Sequence, residues 1–301
     1  MSTTMRVATA PVSWGILEFA GQGAGPSWAS VLDEMVTAGY AGAELGPFGF
    51  LPTDPGALRA ALDERGLRLL SAFVPVRLAE RAAHAQGLAA ARQVGALLAA
   101  CGCEHLVLSD DNCADPQRLA RAGRITPTDA LDETGWRSLA DGVNAIAQAL
   151  RDEHGLQIVF HHHCGGFVET PAEIDRFLAL TDPATVGLCL DTGHYVYGGG
   201  DPLDCLRQHG HRVRYVHLKD AHPAIMAQAR TEGWNYFQAV AAGVFCELGR
   251  GCVDFPAVLD ALRARSYAGW LVVEQDIAPG QGTPLASAQR NRAYLRKLGL
   301  A

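Results

Sequence analysis

The sequence predicts a single α/β domain folded as a (β/α)8 barrel. Three observations lead there: short apolar runs alternate with longer segments of helical periodicity, eight such pairs fit in 301 residues, and no linker rich in Pro, Gly or Ser divides the chain. With 49% hydrophobic residues the chain has ample material for one large core.

The strand candidates come in order as RVATAPVSW from Arg6, AGAELG from Ala41, LRLLSAFVP from Leu67 and EHLVLSD from Glu104. The second half adds LQIVFHHH from Leu156, TVGLCLD from Thr185, VRYVHLKD from Val213 and GWLVVEQD from Gly269. Helices are expected at Trp28 to Ala38, Pro55 to Arg65, Ala79 to Ala100, Thr134 to Glu153, Pro171 to Leu180, Asp201 to Gln208, Phe255 to Arg265 and Ser287 to Leu298. Glycines in AGY, RGL, HGL and YAGW stand where a left-handed C-cap would end a helix. Two connections, Asp110 to Asp132 and Asp220 to Asp254, exceed ordinary turns and are expected to lie over an active site. No internal repeat beyond the βα unit and no low-complexity tract interrupts this pattern.

Composition narrows the function. A formal charge of -7 argues against a nucleic-acid or anionic-membrane surface, so the expected partner is a neutral or small polar molecule. The start, MSTTMRVATAPVSWG, lacks the basic and apolar segments of a signal peptide, and the reading is a cytoplasmic protein that associates, if at all, with copies of itself. Eight cysteines follow no disulfide framework, and the lone Cys-x-Cys, Cys101 with Cys103, has no second pair to complete a zinc site. GGGD from Gly198 lacks the lysine and hydroxyl residue of a phosphate loop, and there is no Gly-x-Ser-x-Gly elbow.

Active sites of such barrels lie at the C-terminal ends of the strands, and there the sequence places metal-ligating groups on four successive strands: His161 to His163, Asp191, His217 and Glu274. Alternation along a strand puts His161 and His163 on one face and His162 on the other, with Tyr215, His217 and Lys219 sharing a face and Trp270, Val272, Glu274 and Asp276 another. Charges converging in a barrel mouth repel one another unless a cation neutralises them. A mixed nitrogen and oxygen donor set suits Mn²⁺, Co²⁺, Fe²⁺ or Zn²⁺ better than Ca²⁺.

Six segments, GYAGAELGPFGFLP, HHHCGGFVET, LCLDTGHYVYGGGDP, YVHLKD, GVFCELGRGCVDF and YAGWLVVEQD, resemble the xylose isomerase-like TIM barrel superfamily of sugar isomerases and epimerases, and within it the inosose dehydratase branch. The resemblance implies a divalent metal, most often Mn²⁺ or Co²⁺, held by Asp191, His217, Glu274 and a group from the fifth strand. There the isomerases carry Glu-x-His and this chain carries His161 and His163; the epimerases use that glutamate with the one on strand eight to move protons. Loss of one carboxylate weakens epimerase chemistry and favours elimination of water from a ketocyclitol such as 2-keto-myo-inositol. A ketosugar isomerase or epimerase, a 3-keto-glycoside lyase and a non-catalytic sugar-binding barrel are the alternatives.

On this reading His161, Asp191, His217 and Glu274 hold the metal, with His163 as the other choice for the fifth-strand ligand. His163 and His194 are acid or base candidates. Lys219 stabilises a developing enolate. Glu44 binds a substrate hydroxyl, carries the second proton or pairs with a barrel-mouth arginine. Trp14 walls one face of the ring. His162 is structural. The first strand departs from the branch, reading SWGILEFAG where relatives have an Asn-Asp-Asp stretch, which bears on substrate identity.

Overall fold

The computed structural model describes residues 5–17, 25–111, 114–278 and 282–300. In chain order the first half contains β1 (Arg6–Thr9), α1 (Trp28–Ala38), β2 (Gly42–Ala43), α2 (Pro55–Asp63), β3 (Arg68–Leu69), β4 (Phe73–Val76), α3 (His84–Ala100), β5 (His105–Asp110), α4 (Pro116–Arg121) and α5 (Glu133–His154). The second half adds β6 (Gln157–His161), α6 (Pro171–Leu180), β7 (Val186–Asp191), α7 (Thr192–Tyr197), α8 (Pro202–His209), β8 (Val213–Leu218), β9 (Asp220–Ala221), α9 (Pro223–Glu232), α10 (Tyr236–Ala241), β10 (Phe245–Cys246), α11 (Phe255–Ala264), β11 (Trp270–Val273) and α12 (Pro284–Lys297).

Nine parallel strands form one sheet in the order β3, β2, β1, β11, β8, β7, β6, β5, β4. They make eight staves, because β3 and β4 are halves of one run, LRLLSAFVP, interrupted at Leu70 to Ala72. The interruption keeps its neighbours: Leu45 donates to the Ser71 carbonyl at 2.9 Å and Val107 to the Ala72 carbonyl at 3.0 Å, so this run closes the ring. The protein is a single (β/α)8 barrel.

Alternation divides the core in two. Ala8, Leu70, Val107, Val159, Cys189, Tyr215 and Val272 fill the barrel interior. Their sequence neighbours, among them Val7, Ile158, Phe160, Leu188, Val216 and Leu271, pack outward beneath the helices. Helix boundaries follow local chemistry. Ser27, Asp54, Asp132, Thr170 and Asp254 each accept a backbone N–H as N-caps. Gly39 and Gly155 take the left-handed conformation at C-caps, with φ of 92° and 69°. At the fourth expected stop the left-handed residue is Ser266, φ 55°, and Gly269 is not in that region. A glycine five residues past the end of α11 therefore mimicked the stop signal that Ser266 supplies.

The long connections carry unexpected elements. Asp220 to Asp254 holds α9, α10 and the antiparallel β9–β10 pair, and it does lie over the C-terminal mouth. Asp110 to Asp132 instead braces the loop after β6: Arg118, only 1% exposed, makes two bonds to Glu173 at 2.8 and 3.0 Å and one to the Gly166 carbonyl at 2.7 Å. No helix among the described residues is long and apolar enough to cross a membrane.

Candidate active site

At the C-terminal mouth His161, Asp191, His217 and Glu274, all buried, bring their donor atoms within 4.8 Å of one another. Each arrives by a local rule. His161 ends β6 on the interior face, two residues after Val159. Asp191 ends β7 and caps α7: its Oδ1 accepts from the His194 N–H at 2.8 Å, leaving Oδ2 turned toward the cluster. His217 donates through Nε2 to Glu44 Oε1 at 3.1 Å, which fixes Nδ1 as the side facing Glu274 Oε2 at 3.3 Å and Asp191 Oδ2 at 3.9 Å.

Three of the atoms pointing at the common centre, His161 Nε2, Asp191 Oδ2 and His217 Nδ1, are buried without a hydrogen-bond partner among the described residues. Such atoms are costly to bury unless something binds them, and two imidazoles with two carboxylates are a donor set a divalent transition ion accepts.

Lys219 sits on the same side, with Nζ 3.3 Å from Asp191, 3.1 Å from Glu274 and 2.7 Å from Asp276. Burial opposes its charge, but Asp191, Asp276 and Glu274 outweigh burial and hold the ammonium well above its ordinary range. Burial likewise raises Asp191 and Glu274, and their neighbours reverse it, Lys219 foremost around Asp191 and His217 with Lys219 around Glu274. The DTGH motif serves this arrangement throughout. The Thr192 hydroxyl donates to the Lys219 carbonyl at 2.6 Å, and a Cβ on Gly193 would lie 2.6 Å from Lys219 Cγ, so only glycine admits the lysine.

Above the cluster opens a cleft whose walls include Val12, Phe73, His163, Tyr236 and Phe237, with His161, Lys219, Glu44, Glu274 and Asp276 on its floor. Among the described residues no arginine lines it. His163 is turned by a bond between Nδ1 and the Cys164 carbonyl at 2.7 Å, so Nδ1 carries the proton and Nε2 the lone pair, 3.3 Å from the Tyr236 hydroxyl. Burial pushes His163 and His194 well below the ordinary histidine range, so both are neutral imidazoles at neutral pH. The His194 Nε2 lies 3.1 Å from Lys219 Nζ, and His194 does not line the cleft.

Three of the sequence-based roles change, that of His194 first, since it stands against Lys219 and away from the cleft instead of facing a substrate as an acid or base. Trp14 is no wall of the cleft: it packs in the helix-facing core and its indole donates to Glu34 on α1 at 2.7 Å. Phe73, Tyr236 and Phe237 supply the aromatic walls. Glu44, for which an arginine partner was one possibility, pairs with His217 instead. His162 faces away as expected, with its ring 5.5 Å from that of Tyr195; Nε2 accepts from the Asp191 N–H at 3.2 Å, and burial drives its pKa down to about 3. Part of SWGILEFAG lies outside the described residues. Besides Phe73 and Phe237, sequence reasoning missed Asp276 and Tyr236. Asp276 shared a face with Glu274 and could have been found by alternation, whereas Tyr236, from the α10 insertion, carried no periodic signal.

A xylose isomerase-like TIM barrel family model matches residues 32–298. The chain belongs to that family. An inosose dehydratase of Geobacillus kaustophilus is 34% identical over 97% of this chain and 94% of its own. The rhizopine catabolism protein MocC of Rhizobium meliloti is 33% identical over 99% of this chain and 90% of its own. Among solved structures an L-ribulose 3-epimerase superimposes with a TM-score of 0.71 at 19% identity, over 99% of this chain and 95% of the other, a likeness of fold. Relatives matched over nearly the whole family barrel make this chain an enzyme.

Proposed function

We propose that the protein is a divalent-metal-dependent dehydratase, a carbon–oxygen lyase that removes water from a ketocyclitol such as 2-keto-myo-inositol. The observation that carries this reading is the set of buried donor atoms of His161, Asp191 and His217 left without a hydrogen bond, converging with Glu274 on the floor of a cleft whose described lining contains no arginine. An uncharged polyol fits such a cleft, whereas a phosphorylated sugar would need a cation to spare, and the one described in the lining, Lys219, is already matched by Asp191, Glu274 and Asp276. The names of the relatives, inosose dehydratase foremost, support the same substrate class.

The metal, Mn²⁺ or Co²⁺ by preference with Zn²⁺ or Fe²⁺ as alternatives, would be held by His161, Asp191, His217 and Glu274 and would supply Lewis acidity at the keto oxygen. His163 is the base. Its Nδ1 proton is engaged by the Cys164 carbonyl, so Nε2 takes the proton from the carbon beside the ketone. The resulting imidazolium returns that proton to the departing hydroxyl, and one water leaves. Lys219 stabilises the negative charge that develops on the oxygen in between, and it is positioned by Asp276 and His194. Tyr236, which donates to Asp276 Oδ2 at 2.6 Å, ties the α10 insertion to the reacting floor.

The deciding experiment incubates metal-loaded protein with 2-keto-myo-inositol and follows the ultraviolet absorbance of the conjugated product. Absence of that product, with epimerised ketohexose formed instead, would replace this reading by the epimerase one. Elemental analysis of protein purified without an affinity tag separates either enzyme from a sugar-binding barrel.

A further inference from the structure

Beneath the four-residue cluster lies a second donor set that shares two of its members. His161, Cys189 and His217 also bring one donor atom each within 4.8 Å of one another, and all three are buried. The register explains it. Cys189 precedes Asp191 by two residues on β7, faces the barrel interior, and stands directly opposite His161 of β6 and Tyr215 of β8. One set is rich in carboxylate oxygen and opens to the cleft; the other replaces those oxygens by a sulfur one layer deeper.

A buried cysteine alone is commonly just a small apolar residue. Here a second observation points to a ligand: both ring nitrogens of His161, 2% exposed, lack a hydrogen-bond partner. A metal-bound imidazole ordinarily donates its other nitrogen to an outer partner, as His217 does to Glu44. His161 Nε2 stands 3.5 Å from Asp191 Oδ2, but no described residue anchors its Nδ1, so nothing fixes the ring in the oxygen-rich set.

We propose that Cys189, with His161 and His217, forms a deeper binding mode for thiophilic divalent ions such as Zn²⁺ and Cd²⁺. Mn²⁺ prefers carboxylate oxygen and keeps Asp191 and Glu274, whereas a thiolate attracts the softer ions. On binding, the Cys189 thiol loses its proton to solvent and gives the ion a sulfur ligand. A soft ion is thereby drawn below the floor of the cleft, and Cys189 discriminates between metals that activate the protein and metals that occupy it unproductively. The inference rests on reading the cluster as a metal centre.

The test titrates metal-free protein with Cd²⁺ and follows the ultraviolet thiolate-to-cadmium charge-transfer band, with bound metal counted by equilibrium dialysis. Wild type is expected to bind one ion with the band, and Cys189→Ala to bind one ion without it. In that variant the affinity for Cd²⁺ and Zn²⁺ should fall about tenfold or more while that for Mn²⁺ changes by less than about threefold. The cadmium-113 resonance of the wild-type complex reports sulfur ligation without any variant. One bound Cd²⁺ lacking both signatures would overturn the deeper mode and leave the four-residue centre standing. A band that survives in Cys189→Ala would assign the sulfur to another cysteine and overturn it as well. Failure to bind either Cd²⁺ or Mn²⁺ would remove the metal centre itself.

Discussion

At the scale of single residues, the triplet His161, His162 and His163 separates into three tasks that substitution should tell apart. His161→Ala removes a donor from the four-residue set and is expected to lose stoichiometric metal by elemental analysis. His163→Ala is expected to retain metal and lose turnover by about 10²- to 10⁴-fold, the range for a general base. Metal retained in the first variant and lost in the second would move the ligand to His163. His162 is buried and accepts from the Asp191 N–H, so His162→Ala should cost about 2–4 kcal/mol in unfolding, measured with denaturant. Glu44→Gln tests the outer partner of His217: weakening of Mn²⁺ binding by about 10- to 100-fold is expected, and unchanged affinity would return Glu44 to the role of substrate ligand. The four clustered side chains, His161, Asp191, His217 and Glu274, were legible in the sequence because each ends an apolar run and strand alternation fixes its face. Trp14 was misread because a tryptophan near a strand end looks the same whether it faces the cleft or α1; only packing against Glu34 decides.

At the scale of elements, strand and helix existence followed from periodicity, and boundaries from caps. α1 and α6 coincide with the expected ranges, since Ser27 and Thr170 cap their starts. The third stave was read as one continuous strand because its interruption leaves no Gly or Pro at Leu70 to Ala72 to mark it. α7, α9 and α10 are short or weakly amphipathic and are held by tertiary contact, which no local pattern records. One long-range clip among these loops has a pH signature. Glu169 accepts from Gly165 N at 2.7 Å in the loop after β6 and from Gly123 N at 2.7 Å after α4, and burial raises its pKa to about 7. The raised value means the folded chain binds this proton more tightly than the unfolded chain, so its contribution is full below the unfolded value near 4.5 and is lost as pH rises toward 7. Glu169→Gln has no such term. The stability of Glu169→Gln minus that of wild type should therefore rise between pH 5 and pH 8 by up to about 3 kcal/mol in urea unfolding, and a difference that falls over this range would refute the assignment.

At the scale of the whole molecule, the barrel could be counted from sequence because crossover helices space the strands regularly, while ring closure through one broken stave and the α10 roof are properties of the assembled sheet. Assembly also concentrates charge: Glu44, Asp191, Glu274 and Asp276 converge on one buried ammonium, that of Lys219, and on His217. The fold holds these carboxyl groups together and the unfolded chain does not, so a divalent ion binds the native state selectively and must stabilise it by mass action. At a free Mn²⁺ concentration about one hundred times the dissociation constant the gain is about 2.7 kcal/mol. In a barrel of this size that is a rise of about 3–8 °C in Tm. Because one ring of strands carries all four ligands, the shift should appear in a single calorimetric transition, reverse with a chelator, and be absent in His161→Ala. Two resolved transitions would contradict a one-domain barrel. A single transition insensitive to Mn²⁺ would contradict the metal centre while leaving the barrel intact.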